Sequence, residues 1–323
     1  MKNIDAVEIP VAVRNRQIMD FIDRGEYDKV AQVNADFTRI QIREGSFTHD
    51  ILPTAPAPRI DKDITERLRV IESLEPDSAG AKWVPLQKVP EGEYMFGQNY
   101  EIPMARLLTR KVQKDVQELR NYDYDLRRVF SENGIKDAEY EYDRQFVETI
   151  NRIVLDTNNG FGNPGLQVET GKSQYEAFSG GLTKENWVQA GKMLLRASQT
   201  IPGNKFVLRN HVALMNELTA RDWMLLDTYE IGDANVAGHF RSGLSEDSPF
   251  GMKVITTIKQ DLVPENVVYF FAEPQYMGKG YYLQDWETYV KKEGHYVESY
   301  SSWYGGFAIG NIAAVARADF DLS

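Results

Sequence analysis

From Tyr122 to Thr157 the sequence runs without a proline and repeats an apolar side chain every four residues. Leu126, Phe130, Gly134, Ala138, Tyr142, Phe146, Ile150 and Val154 form the stripe, and Val129, Ile135, Val147 and Ile153 widen it. That period predicts one helix of about 33 residues, near 50 Å long. Asp123 and Asp125 set acid at its start, where the helix dipole favours it, and Asn158-Asn159-Gly160 ends it. Helices in globular domains average about a dozen residues. A helix this long is a beam that other elements must pack along. A shorter helix is expected just before it, around Thr109 to Leu119.

Upstream of the beam little sequence can build a core. Residues from about Val11 to Thr38 carry Ile18, Phe21, Ile22, Val30, Val33 and Phe37 at helical spacing, with Asp20, Asp23, Arg24, Glu26 and Asp28 on the other face. One or two amphipathic helices are expected there, packed either on their own domain or on a neighbouring subunit. "FTRIQIREGSFTHDILP" alternates around Gly45-Ser46 and predicts a hairpin-like element. The prolines from Pro53 to Pro58 make the next stretch stiff and extended, unfit for helix or central strand. From Arg39 to Pro103 no long apolar stretch occurs. Some sixty residues with strand character and little core predict a long two-stranded loop, at home on another subunit rather than inside a compact monomer.

Downstream, "LTKENWVQAGKMLLRAS" predicts a helix capped by Thr183, with Glu185 and Asn186 in its first turn. "NKFVLRN" predicts a short strand and "HVALMNELTARDWMLL" a second helix. "GMKVITT" and "NVVYFFAEP" are rich in strand formers, and Gly280 to Phe320 predicts several strands. The second half is therefore mixed, a sheet flanked by helices. The apolar close of the chain, Gly305 to Ala316, is about a dozen residues long, too short for a spanning helix, which needs about 20.

The sequence holds no cysteine, so disulfides, thiolate nucleophiles and cysteine zinc sites are excluded; that fits a reducing cytoplasm. The formal net charge of −11 disfavours a sequence-specific grip on nucleic acid but suits a wall that encloses it. "GFGNPG" (Gly160–Gly165) has the letters of a dinucleotide fingerprint, yet it follows a helix and contains Pro164. "GLQVETGKS" has five residues between Gly165 and Gly171 where a phosphate loop has four, and Glu169 would face the phosphates. His49, His211, His239 and His295 lie far apart, and no H-E-x-x-H or G-x-S-x-G motif occurs. Asp123/Asp125 and Glu139/Glu141 point to different helix faces. No catalytic constellation, metal site or cofactor is expected.

The order of these parts carries a resemblance. "FTRIQIREGSFTHDILP", "FGQNYEIPM", "YDYDLRRVF", "FGMKVITT" (Phe250–Thr257) and "ESYSSWYGGFAIGNIAAVARADF" resemble, in order, the entry and return of the extended loop, the start of the spine helix, a strand with a leading glycine and polar close, and the closing strand pair of tailed-bacteriophage major capsid proteins. That is the Hong Kong 97-type fold, shared with encapsulins. The resemblance covers nearly the whole chain. It implies an α+β fold with an N-terminal arm (1–38), an extended loop (39–103), a peripheral domain (104–159 and 286–311) and an axial domain (160–285 and 312–323).

The resemblance also implies a function without chemistry. Copies would form pentamers and hexamers of an icosahedral shell around double-stranded DNA, held without sequence specificity and without a membrane. The virion would be assembled in the bacterial host cytoplasm with a portal and decoration proteins. With some 38 residues before the loop, a separate scaffolding protein is expected. Phe47, Trp83, Arg127, Arg128, Glu132 and Glu141 are the candidates for subunit contact, and Lys136 and Asp137 share the charged face of the spine helix. An encapsulin-type compartment around an enzyme cargo is the alternative within the fold. A soluble nucleotide-binding α/β enzyme is the alternative outside it. A tail tube subunit gives no reason for the spine helix.

Overall fold

The computed structural model describes residues 11–34, 45–57, 67–73, 97–121, 126–155, 174–200, 208–222 and 252–321. In chain order, helix α1 (Val11–Asp23) and a helical run α2 (27–34) lead to a one-turn helix α3 (Phe47–Ile51) and strand β1 (Thr54–Pro56). Strands β2 (Arg67–Ser73), β3 (Gly97–Pro103), β4 (Ala105–Leu108) and β5 (Val112–Asp115) precede helices α4 (Val116–Asn121) and α5 (Leu126–Leu155). Then come β6 (Tyr175–Ser179), α6 (Lys184–Thr200), β7 (Val212–Asn216), α7 (Glu217–Asp222), β8 (Lys253–Thr257) and β9 (Val267–Phe271). A short α8 (Pro274–Met277), long strands β10 (Gly278–Glu293) and β11 (Tyr296–Ile309), a 3-10 turn (Ile312–Ala314) and β12 (Val315–Asp321) close the chain.

The spine helix α5 has 30 residues, about 45 Å of rise. Its stripe is buried at Ala138, Tyr142, Phe146, Val147, Ile150, Ile153 and Val154. Its flanking acids Asp123 and Asp125 and its stop signal at 158–160 lie outside the described residues. The helix joins two sheets. The first has the order β1-β10-β11-β4, with β5 also on β11; the second has the order β6-β12-β9-β7-β8. Phe146 shows the joint: its ring centroid is 5.7 Å from Phe271 of the second sheet and 5.6 Å from Phe307 of the first. One apolar core therefore runs through both sheets.

The strands follow their residues. β7 and β9 are buried at every position, as central strands covered on both faces must be. β10 and β11 form a long antiparallel hairpin that turns at Gly294, where φ is 61°. β1, with Pro53 before it and Pro56 within it, sits at the edge of its sheet, where a missing N–H breaks no ladder. α6 starts as expected, with Asn186 N–H donating to Thr183 Oγ1 at 3.2 Å. The mixed α+β architecture expected from the sequence is the one observed.

Four local expectations are corrected. Of the hairpin-like element expected over 37–53, residues 37–44 lie outside the described residues, and 47–51 form a helical turn, because Phe47 and Ile51 stand one turn apart and both sink into the core. The helix expected over 109–119 is strand β5 followed by α4, because β11 offers a free edge to residues 112–115. "HVALMNELTARD" begins as strand, not helix: an apolar run of four fits either state, and here it pairs β8 and β9 on its two sides. Leu208, Arg209 and Asn210, expected in a strand, precede β7 as irregular chain, while 204–207 lie outside the described residues. The arm question also has an answer for residues 11–34. Ile18, Ile22 and Val30 are buried with Val116, Leu119, Val290 and Val297 of the same chain.

Candidate functional site

β2 and β3 form a two-stranded antiparallel ribbon of their own, from Arg67 opposite Pro103 to Ser73 opposite Gly97. It belongs to neither large sheet. Two legs root it in the body: residues 45–57 lead in and residues 102–115 lead out.

The incoming leg is held by Asp143 of the spine helix. This carboxylate is fully buried. Its Oδ1 accepts from Ser46 Oγ at 2.7 Å, Thr48 N at 3.2 Å and Thr48 Oγ1 at 2.6 Å. Its Oδ2 accepts from Lys259 Nζ at 2.6 Å. Helix starts leave N–H groups without an intrahelical partner. Ser46 precedes α3 but makes no side-chain cap; a carboxylate 95 residues away takes that N–H instead. Lys259 also stands 5.5 Å from the centre of the Phe47 ring. His49 stacks on Tyr142 with centroids 4.9 Å apart, and its Nδ1 is 3.3 Å from Thr54 Oγ1.

Glu298 on β11 holds the outgoing leg. Its carboxylate is buried and bonded to Lys111 and Gln113, which flank the start of β5. The Lys111 ammonium holds the Glu298 carboxyl below the ordinary range, and Gln113 and Lys291 act in the same direction. Thr109 exchanges two bonds with Ser301, N to O at 2.9 Å and Ser301 N to Oγ1 at 2.7 Å. Between the legs, Ile102 and Met104 are buried against Ala57, Tyr281, Tyr304 and Ala308. There β11 passes so close that a Cβ on Gly306 would collide with the carbonyl oxygen of Pro103.

The last crossing completes the frame. The chain leaves the first sheet at Ile309 and pairs in the second from Val315. Asn311 Oδ1 caps the 3-10 turn by accepting from Ala313 N at 3.1 Å. Gln174 Nε2 donates to the carbonyls of Ile312 at 2.6 Å and Val315 at 2.8 Å. In β12, Arg317 pairs Asp319 at 2.7 and 3.0 Å and donates to Asn151 of the spine helix at 3.0 Å.

Of the residues singled out from sequence, Phe47 is taken up by its own chain's core at 5% exposure, which leaves little of it for a neighbour. Glu141 is half-buried and accepts from Arg144 at 2.6 and 2.9 Å, which lowers its pKa. Arg127, Arg128 and Glu132 lie on the first turns of α5, with their side chains outside the described residues, as is Lys136. Asp137 pairs Arg110 at 3.1 Å. Trp83 lies outside the described residues, as do Gly160–Gly165, Gly171, Lys172, Ser173 and His239. Sequence reasoning missed Asp143, Lys259 and Glu298. A single acidic letter beside Tyr142 on the buried stripe was the one signal for Asp143. Among the described residues no cluster of three or more histidine, aspartate and glutamate side chains could hold a metal, and no helix is long and apolar enough to cross a membrane.

No protein-family model matches the chain, and no curated protein matches it either. Solved structures do match. One from Mycobacterium phage Adephagia has a TM-score of 0.52 at 13% identity, covering 86% of this chain and 91% of that one. The mature capsid of bacteriophage PhiM1 has a TM-score of 0.51 at 8% identity, covering 80% and 82%. This chain has the Hong Kong 97-type capsid fold. The capsid of cyanophage P-SCSP1u is similar too, with a TM-score of 0.51 at 11% identity over 84% of this chain and 86% of that one. At such identities the likeness speaks for the fold and leaves roles of single residues to local geometry.

Proposed function

We propose that this chain is a major capsid protein that self-assembles as pentamers and hexamers into an icosahedral shell around double-stranded DNA. The observation that carries the reading is the ribbon: a two-stranded element outside both sheets, in a fold shared with phage capsids over most of the chain. A strand pair of that kind is marginal alone and gains from a neighbour's surface. In this reading the ribbon within 39–103 lies over the adjacent subunit, while 45–57 stay rooted in their own. The first sheet and spine helix (104–159 and 286–311) form the peripheral domain, and 160–285 with 312–323 form the axial domain. Residues 1–38 are the arm.

The role is structural rather than enzymatic and uses no cofactor. The net charge of −11 keeps the wall from gripping the DNA it holds. Trp83, Arg127, Arg128 and Glu132 remain candidates for subunit contact. A separate scaffolding protein, a portal and decoration proteins complete the assembly, which forms in the bacterial host cytoplasm and ends in the virion.

Size-exclusion chromatography and negative-stain electron microscopy of the purified chain test this. Capsomers or megadalton particles support it; a stable 36.9 kDa monomer with nucleotide affinity overturns it. Nuclease-protected DNA inside purified shells is expected. An enzyme cargo in its place favours the encapsulin-type reading.

A further inference from the structure

Among the described residues only two carboxylate side chains are buried, Asp143 and Glu298. Each is bound to one leg of the ribbon, and each faces a lysine that is only partly covered. Asp143 takes Ser46 and Thr48 of the incoming leg and Lys259; Glu298 takes Gln113 and Lys111 of the outgoing leg. Burying a carboxylate is costly unless every lone pair finds a donor. A buried, fully bonded carboxylate therefore has few arrangements of its neighbours open to it, and polar networks of this kind specify geometry more than they add stability.

We propose that Asp143 and Glu298 are positioning residues, a two-point clamp that sets the direction in which the ribbon leaves the body. The two carboxylates act beside the pairing of β1 with β10 and of β4 with β11, so the clamp sets the angle of legs already held in place. The anchors stand on different elements. Asp143 is on the spine helix, with Lys259 reaching in from the segment after β8, so the incoming leg is tied to the helix and the second sheet together. Glu298 is on β11, so the outgoing leg is tied to the first sheet. The two points also differ in access to water. The Asp143 side chain has no exposed surface and Lys259 keeps 19%; Glu298 keeps 9% and Lys111 50%. The outgoing point is the one that salt and acid reach first. The consequence for assembly, control of which part of a neighbour the ribbon meets, rests on the capsid reading above; the clamp itself does not.

The test uses the full chain, with Asp143→Asn, Glu298→Gln and the milder Thr48→Val and Gln113→Leu, before assembly and in particles. Hydrogen exchange is read by mass spectrometry. Asp143→Asn and Thr48→Val are expected to speed exchange over 45–57 by about tenfold, the factor carried by one lost bond to a charged group. Exchange in β7 and β9, which reports global opening, rises by less. Glu298→Gln and Gln113→Leu do the same for 111–115 rather than for 45–57. Raising salt loosens 111–115 before 45–57. In particles, loosened roots broaden the diameter distribution or yield open sheets and tubes, and Lys259→Arg restores uniform shells where Lys259→Met does not. Unchanged exchange at both roots, or an equal rise in β7 and β9, overturns the clamp. Loosened roots with shells of unaltered size overturn its role in direction. An unaltered chain that stays a nucleotide-binding monomer overturns the capsid reading and leaves the exchange result to judge the clamp.

Discussion

Lys259 Nζ stands 2.6 Å from Asp143 Oδ2, and so the segment after β8 is bonded to the middle of the spine helix. The same carboxylate holds Ser46 and Thr48. Three parts of the chain distant in sequence meet at one charge. Removing the ammonium with Lys259→Met leaves a buried carboxylate without its cation, at an expected cost of about 2–4 kcal/mol. Thr48→Val removes one donor of several and costs about 1–2 kcal/mol. Urea unfolding of the unassembled subunit measures both; midpoints within error of the unaltered protein would count against the pair.

Two glycines should answer oppositely to alanine. Gly306→Ala drives a methyl into the Pro103 carbonyl oxygen, and backbone cannot step aside cheaply. The expected loss is about 3 kcal/mol, the upper range of overpacking. Gly191 lies inside α6, where a new methyl meets only Asn210 Nδ2 at 3.6 Å, an ordinary contact. Gly191→Ala should stabilise by about 0.5–1 kcal/mol, the propensity difference in a helix interior. Thermal midpoints that move the same way would contradict this account.

Deleting Ile312 onward should abolish soluble assembly. β12 lies between β6 and β9, and Phe320 stacks on Phe178 at 5.5 Å and faces Trp187 at 6.4 Å. Phe320→Ala alone should cost about 3–5 kcal/mol. Fractionation and electron microscopy read the deletion; normal shells from the shortened chain would disprove it.

Acid should weaken the outgoing root through Glu298. Its carboxyl pKa is lowered in the folded chain by Lys111, then Gln113. A lowered folded value means stability that is present above the ordinary carboxylate range and lost as pH falls through the folded value. Glu298→Gln should therefore be less stable than the unaltered chain at neutral pH, and the two should converge in acid. Denaturation midpoints across that range measure it; a constant gap places the effect elsewhere.

Much of the fold could be read from letters because its signals are local. Residues 138 to 154 put apolar groups at a helical period, so α5 was legible to within a few residues. Thr183 before Lys184-Glu185-Asn186 announced α6 by cap chemistry. "VVYFF" and "KVITT" announced strands by their β-branched and aromatic letters. Where a signal was ambiguous, the partner decided. "VALMN" fits helix or strand, and becomes strand because β8 and β9 stand on both sides of it. Residues 112–115 become strand because β11 has an edge free, and Phe47 to Ile51 become a helical turn because Asp143 caps it.

The sequence by itself determined the beam, the mixed character of the second half and the absence of cysteine chemistry, since period, composition and end signals depend only on near neighbours in the chain. Tertiary structure alone decided that the arm helices pack on Val116, Leu119, Val290 and Val297, and that Phe47 turns inward. It alone decided that Asp143 and Glu298 hold the two roots of the ribbon. Those contacts join residues 95 or more positions apart. A buried charge chooses its partners by distance and desolvation in the folded chain, and neither quantity is written in the spacing of letters.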